Sequence, residues 1–80
     1  MSVRGHAEPF DGPLVQAFDY DGSSNLIYIG FAALGSSKAS AVWQIRKLTW
    51  SGSNLTDVQY ANGSTLFDAV WDNRASLNYS

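Results

Sequence analysis

"AVWQIRKLTWSGSNLTDVQY", Ala41 to Tyr60, holds two runs of β-branched, aromatic and alternating residues around a Ser-Gly-Ser-Asn break. Such runs favour strands, and a Gly flanked by Ser and Asn favours a tight reversal between them. The stretch predicts a β-hairpin. Upstream, "AFDYDGSSNLIYIGFA", Ala17 to Ala32, repeats the device, and "YDGSSNLIYIGFA" aligns with "WSGSNLTDVQYA" across one gap. The sequence therefore predicts two hairpins of the same type. A lone hairpin is marginal in water, whereas four strands sharing an apolar face persist.

Working outward, the strands are expected at Leu14–Tyr20, Leu26–Ala33, Ala41–Trp50 and Leu55–Ala61. The first turn is "DGSSN", Asp21 to Asn25, with Gly22 supplying positive φ and the Asp and Asn side chains bonding local backbone. In the second strand Ile27, Ile29 and Phe31 alternate with Leu26, Tyr28 and Ala32, so both faces are apolar and both are expected to be covered. In the third, Trp43 and Ile45 share one face and Gln44 and Arg46 the other; Leu48 then falls out of step, which predicts a bulge near Arg46–Lys47. In the fourth, Thr56, Val58 and Tyr60 read as inward, with Asp57 and Gln59 outward.

After Asn62-Gly63 the period changes. Thr65-Leu66-Phe67-Asp68 fits a capping box, and Phe67, Val70, Trp71 and Arg74 follow at the i, i+3, i+4, i+7 spacing of one helical face. About nine residues do not hold a helix alone, since roughly 12–15 are needed, so this one must dock on the sheet. "SLNYS", Ser76 to Ser80, reads as a short extended tail. The expected core is Phe18, Ile27, Ile29, Trp43, Ile45, Val58, Phe67, Val70 and Trp71. The fold class is α+β, mostly β: a four-stranded antiparallel sheet of two β-hairpins, a short C-terminal helix packed on one face, and an extended N-terminal arm. The expected domains are the arm, residues 1–13, and a single small β-rich domain, residues 14–80.

Eighty residues make one domain, and with no cysteine and a single histidine neither disulfides nor a His/Cys zinc site can support it. Association with other chains is the remaining common support. Charged residues are only 15%, below the usual quarter, which suits a surface largely covered by partners. Five basic residues against seven acidic give no field for nucleic acid, and no apolar run approaches the ~20 residues that cross a bilayer. The N-terminus has no apolar signal-peptide core, so synthesis in a cytoplasm without export by the general secretory route is expected.

Little in the chain points to catalysis. His6 stands alone, so no Ser/His/Asp or Cys/His arrangement is expected. Asp19 and Asp21 begin like a calcium loop but lack its later ligands and read as turn residues. Asp68 and Asp72 read as a solvated helix face rather than a glycosidase pair. No catalytic residue, metal or cofactor is expected. Arg46 and Lys47 with Trp43 and Trp50 could form a basic-aromatic patch, which reads first as sheet core plus an interface.

A resemblance enters through particular strings: Tyr20-Asp21-Gly22-Ser23, "NLIYIG" from Asn25, "WQIRKLT" from Trp43, and "FDAVWDNRASLNYS" from Phe67. Over Tyr20 to Ser80 the chain resembles a widespread group of short proteins encoded by tailed bacteriophages and prophages. Members often carry Ala-Pro-Gly where this chain has Ala33-Leu34-Gly35, and Asp-Gly where it has Asn62-Gly63. The resemblance implies a virion structural protein with no enzyme activity.

The resulting expectation is a non-enzymatic, multi-copy virion component, binding other virion proteins in the tail, neck or fibre-attachment region and forming a homo-oligomer or ring. The alternatives are a capsid cement protein on the phage head, and a small carbohydrate-binding module with Trp43, Trp50 or Tyr60 stacking on a sugar. The expected partner-binding residues are Pro9, Phe10 and Pro13 in the arm, with Leu26, Tyr28, Arg46, Lys47 and Trp50 on the domain. The two prolines lower the entropy lost when the arm is ordered, and Phe10 is a large apolar anchor, which predicts an arm laid across a neighbouring subunit or virion protein.

Overall fold

The computed structural model describes residues 14–80; the arm, with His6, Pro9, Phe10 and Pro13, lies outside the described residues. Four strands, β1 (Leu14–Tyr20), β2 (Leu26–Ala33), β3 (Ala41–Ser51) and β4 (Asn54–Tyr60), form an antiparallel meander in the order β1-β2-β3-β4. The mostly-β, two-hairpin sheet expected from the sequence is the observed fold.

The two hairpins are not of one type. Ser51 pairs with Asn54 across Gly52-Ser53, a two-residue loop whose Gly52 has φ 62°. That left-handed first position matches the twist of the flanking strands and suits glycine. The first hairpin closes over Asp21–Asn25 instead, where Asp21 Oδ1 accepts from the Ser23 and Asn25 amides at 2.7 and 3.0 Å. The positive φ there, 73°, belongs to Ser24 and not to Gly22. The two tips are tied together: the Asn25 side chain donates to the Gly52 carbonyl at 3.1 Å, and Trp50 Nε1 to the Leu26 carbonyl at 2.7 Å.

The predicted bulge at Arg46–Lys47 is absent. Arg46, Lys47, Leu48 and Thr49 pair without interruption with Tyr60, Gln59, Val58 and Asp57. Leu48 is out of step with Ile45 because the two lie on opposite faces of a sheet that carries apolar residues on both. Within the two hairpins the irregularities fall near the tips, between Asp19 and Tyr20 and between Thr49 and Trp50.

The C-terminal segment departs most from expectation. Ala69–Val70 form a two-residue strand, β5, paired with β3 at Trp43 and Ala41. A short 3-10 helix, Trp71–Ser76, follows. The capping box does not form, and Phe67 and Val70 lie outside the helix; Ser64 Oγ instead accepts the Leu66 amide at 3.0 Å. The reason is an open edge. Strand β4 pairs β3 only from Arg46 to Ser51, and the backbone groups of β3 before that need other partners. Strand β5 takes part of that edge, and the Ala61 amide donates to the Ile45 carbonyl at 2.9 Å. The chain then reverses at Asn62-Gly63, with φ 57° and 61° as a type I′ turn requires. The tail is extended, as expected, and pairs back on Tyr60 and Asn62 through Ser80 and Asn78.

The core lies between the sheet and this C-terminal segment, and it uses the face with the smaller residues. Ala17, Ala32, Trp43, Ile45, Ala61, Ala69 and Trp71 are buried, with Trp43 and Ile45 each only 1% exposed. Register explains the grouping: Ala17 opposes Gly30, and Gly30 opposes Ile45. Alanine and glycine make a shallow floor on which two indoles fit, their ring centroids 5.9 Å apart. A tryptophan buries about 150–250 Å² on its own, so small floor residues are what close packing needs here. Trp43 Nε1 donates to the Ser37 carbonyl at 3.0 Å, so its one polar atom is satisfied.

This arrangement corrects the expected core. Phe18 and Val58 are 50% and 46% exposed, because they belong to the other face; Ile27, Ile29, Phe67 and Val70 are only partly buried. Trp43, Ile45 and Trp71 are core as expected.

Candidate functional site

The face opposite the tryptophans forms the candidate site. Across it runs one row of directly opposed residues, one per strand: Phe18 on β1, Ile29 on β2, Arg46 on β3 and Tyr60 on β4. Phe31 opposes Gln16 and Gln44 in the row on one side, and Leu48 opposes Val58 on the other. Opposed residues share a face, so this face carries a cluster of apolar side chains, with Gln16 and Gln44 in one row and one charge near its middle.

That charge is held, not loose. The Arg46 guanidinium lies 4.6 Å from the centroid of the Phe31 ring and 5.2 Å from that of Tyr60. Its Nε and Nη2 donate to Gln44 Oε1 at 3.0 and 2.9 Å. Gln44 is buried and donates in turn from Nε2 to the Thr65 carbonyl at 2.8 Å. A guanidinium stacked between two rings gains from their electron-rich faces while keeping further N–H groups for an acceptor. Among the described residues, the ion pair is Arg74 with Asp19, and it lies on the covered face, away from Arg46.

The covered face carries a separate polar layer that closes the C-terminal segment. Arg74 Nε meets Asp19 Oδ2 at 2.9 Å, its guanidinium stacks 4.6 Å from the Trp71 centroid, and Nη1 donates to the Trp71 carbonyl at 3.2 Å. Tyr79 Oη donates to the Arg74 carbonyl at 2.7 Å, and its ring packs 5.6 Å from Tyr28. Burial, then the neighbouring Tyr28, pushes the Tyr79 phenol up to about 12. These groups hold the fold together.

The partner-binding residues expected on the domain are thus divided between the faces. Arg46 is at the centre of the open face. Lys47, its neighbour in sequence, points to the other side, where its Nζ stands 5.9 Å from the Tyr79 ring. Tyr28 packs against the core, and Trp50 and Leu26 meet at the hairpin tips. The basic-aromatic patch does not assemble: Trp43 is sealed in the core and cannot stack on a sugar. Asp68 and Asp72 do not share a helix turn, since β5 separates Asp68 from the helix. The sequence reading missed Phe18 and Val58 as surface residues, since it placed both in the core. The signal that could have found them is the run of small residues, Ala17, Gly30 and Ala32, on the reverse face.

Among the described residues no helix is long and apolar enough to cross a membrane, and no three His, Cys, Asp or Glu come together as a metal site. No protein-family model matches the chain, and no curated protein or solved structure shows a significant match.

Proposed function

We propose that this chain is a non-enzymatic structural component of a tailed-bacteriophage virion, present in several copies and binding other virion proteins in the tail, neck or fibre-attachment region. The observation that carries the reading is the asymmetry of the sheet. One face is closed by the chain's own C-terminal segment; the other leaves Phe18 50% exposed and Val58 46% exposed around a stacked arginine. Exposed apolar surface of this kind on a small domain marks a contact site, and the arginine and aromatic residues in it are the types that dominate interfaces. The strings "NLIYIG", "WQIRKLT" and "FDAVWDNRASLNYS" supply the phage context by resemblance.

Quantitative mass spectrometry of purified particles tests the reading. Copies on the scale of one ring or a few rings per particle support a tail, neck or fibre-base position. Hundreds of copies would move the protein to the capsid surface. Absence from particles would overturn the proposal.

A further inference from the structure

The open face needs an occupant, and its charge selects one. A second copy packed face to face is a poor fit. The face is a single four-stranded surface with a cation near its middle, so an occupant has to complement that charge. Two-fold packing would bring Arg46 toward its own symmetry mate, because no acidic residue lies among the register positions of this face.

The thirteen residues before Leu14 have the missing chemistry. Phe10 is their large apolar side chain, and Glu8 and Asp11 flank it. Pro9 and Pro13 bias the residues before them, Glu8 and Gly12, toward extended backbone. Fully extended, thirteen residues reach about 43–47 Å. That matches the longest dimension of the fold, 41 Å, so such an arm can cross a neighbour completely.

We propose that the open face of one copy receives residues 1–13 of another, with Phe10 against Phe31 and Tyr60, and Glu8 or Asp11 paired with Arg46. The contact is head to tail: the arm and the face are different surfaces, so each copy gives one and accepts one. Such a contact generates a ring when its rotation closes. The inference rests on the multi-copy reading above and adds which surfaces join the copies.

A charge swap in the full-length chain tests it. One variant is Arg46→Glu; the other carries Glu8→Lys with Asp11→Lys. Sedimentation at low salt should show the wild type self-associating and each variant weakened by at least about tenfold, as expected when one partner of a close interfacial charge pair is reversed. Mixing the two variants should restore association, because the lysine arm meets the glutamate face and the acidic arm meets Arg46. Phe10→Ala, which leaves residues 14–80 untouched, should also lose association with an unchanged melting curve. Association of Arg46→Glu alone that equals or exceeds wild type would overturn the proposal. A wild type that stays monomeric at every concentration would overturn it in favour of an arm bound to its own domain or a foreign partner. None of these results depends on particle copy number, so failure here is distinguishable from failure of the virion assignment.

Discussion

Trp71 occupies the space above Gly30 that a side chain would otherwise fill. A Cβ at residue 30 would lie 2.6 Å from Trp71 Cε3, 2.8 Å from Cζ3 and 3.0 Å from Trp43 Cε3. The glycine is needed for room, since its backbone is ordinary strand paired with Ala17 and Ile45. Gly30→Ala is therefore expected to destabilise the domain by about 1–3 kcal/mol through overpacking. Trp71→Ala should cost about 3–5 kcal/mol, comparable with the whole stability of so small a core. Urea denaturation reads both, and an unchanged midpoint for either variant would contradict the packing.

The choice of buried face makes a second prediction. Phe18→Ser and Val58→Ser alter the open face and should shift stability by no more than about 0.5 kcal/mol, as surface changes do. Ala32→Leu alters a residue with no exposure and should cost about 1–3 kcal/mol. If the serine variants proved the more damaging, the assignment of the two faces would be reversed.

Tyr79 gives a pH signature. Burial pushes its phenol up to about 12, above the ordinary tyrosine value of 10.0. A raised acid stabilises the folded chain fully below the lower value, and that contribution is lost as pH rises through the higher one. The stability difference between wild type and Tyr79→Phe should accordingly be flat below pH 10 and shrink between pH 10 and about 12. Denaturation midpoints of the two proteins across that range check it; a constant difference would show that Tyr79 titrates normally.

The Asp19–Arg74 pair is expected to matter little by itself. Its side chains are 37% and 27% exposed, and pairs so open to solvent contribute at most about 1 kcal/mol. Asp19→Asn should lower stability by less than that, with the loss reduced further in high salt. A loss of several kcal/mol would mean that the pair anchors the C-terminal segment more strongly than its exposure indicates.

How much of this could be read in the sequence depended on how local each determinant is. The strands are set by alternation and by Gly, Ser, Asp and Asn at the turns, so β1 and β2 occupy the residues expected for them. Face assignment is not local. Reading Ile29 as core because it is bulky ignores that Ala17, Gly30 and Ala32 make the shallow floor on which the two tryptophans pack. The C-terminal helix was misplaced for a related reason: the spacing of Phe67, Val70, Trp71 and Arg74 fits a helix, but the unpaired edge of β3 draws Ala69 and Val70 into a strand. The sequence raises Arg46 as an expected contact residue, whereas its stacking between Phe31 and Tyr60 follows from cross-strand register that adjacent residues do not reveal.

The central claim is that the face bearing Arg46, and not the face closed by Trp71, joins this chain to its partners. The most direct measurement is the copy number of the Arg46→Glu protein in purified particles, by quantitative mass spectrometry, alongside the melting curve of the isolated variant. The account predicts a folded protein with a near-wild-type melting temperature and at least about tenfold fewer copies per particle. A folded Arg46→Glu protein incorporated at the normal copy number would contradict it.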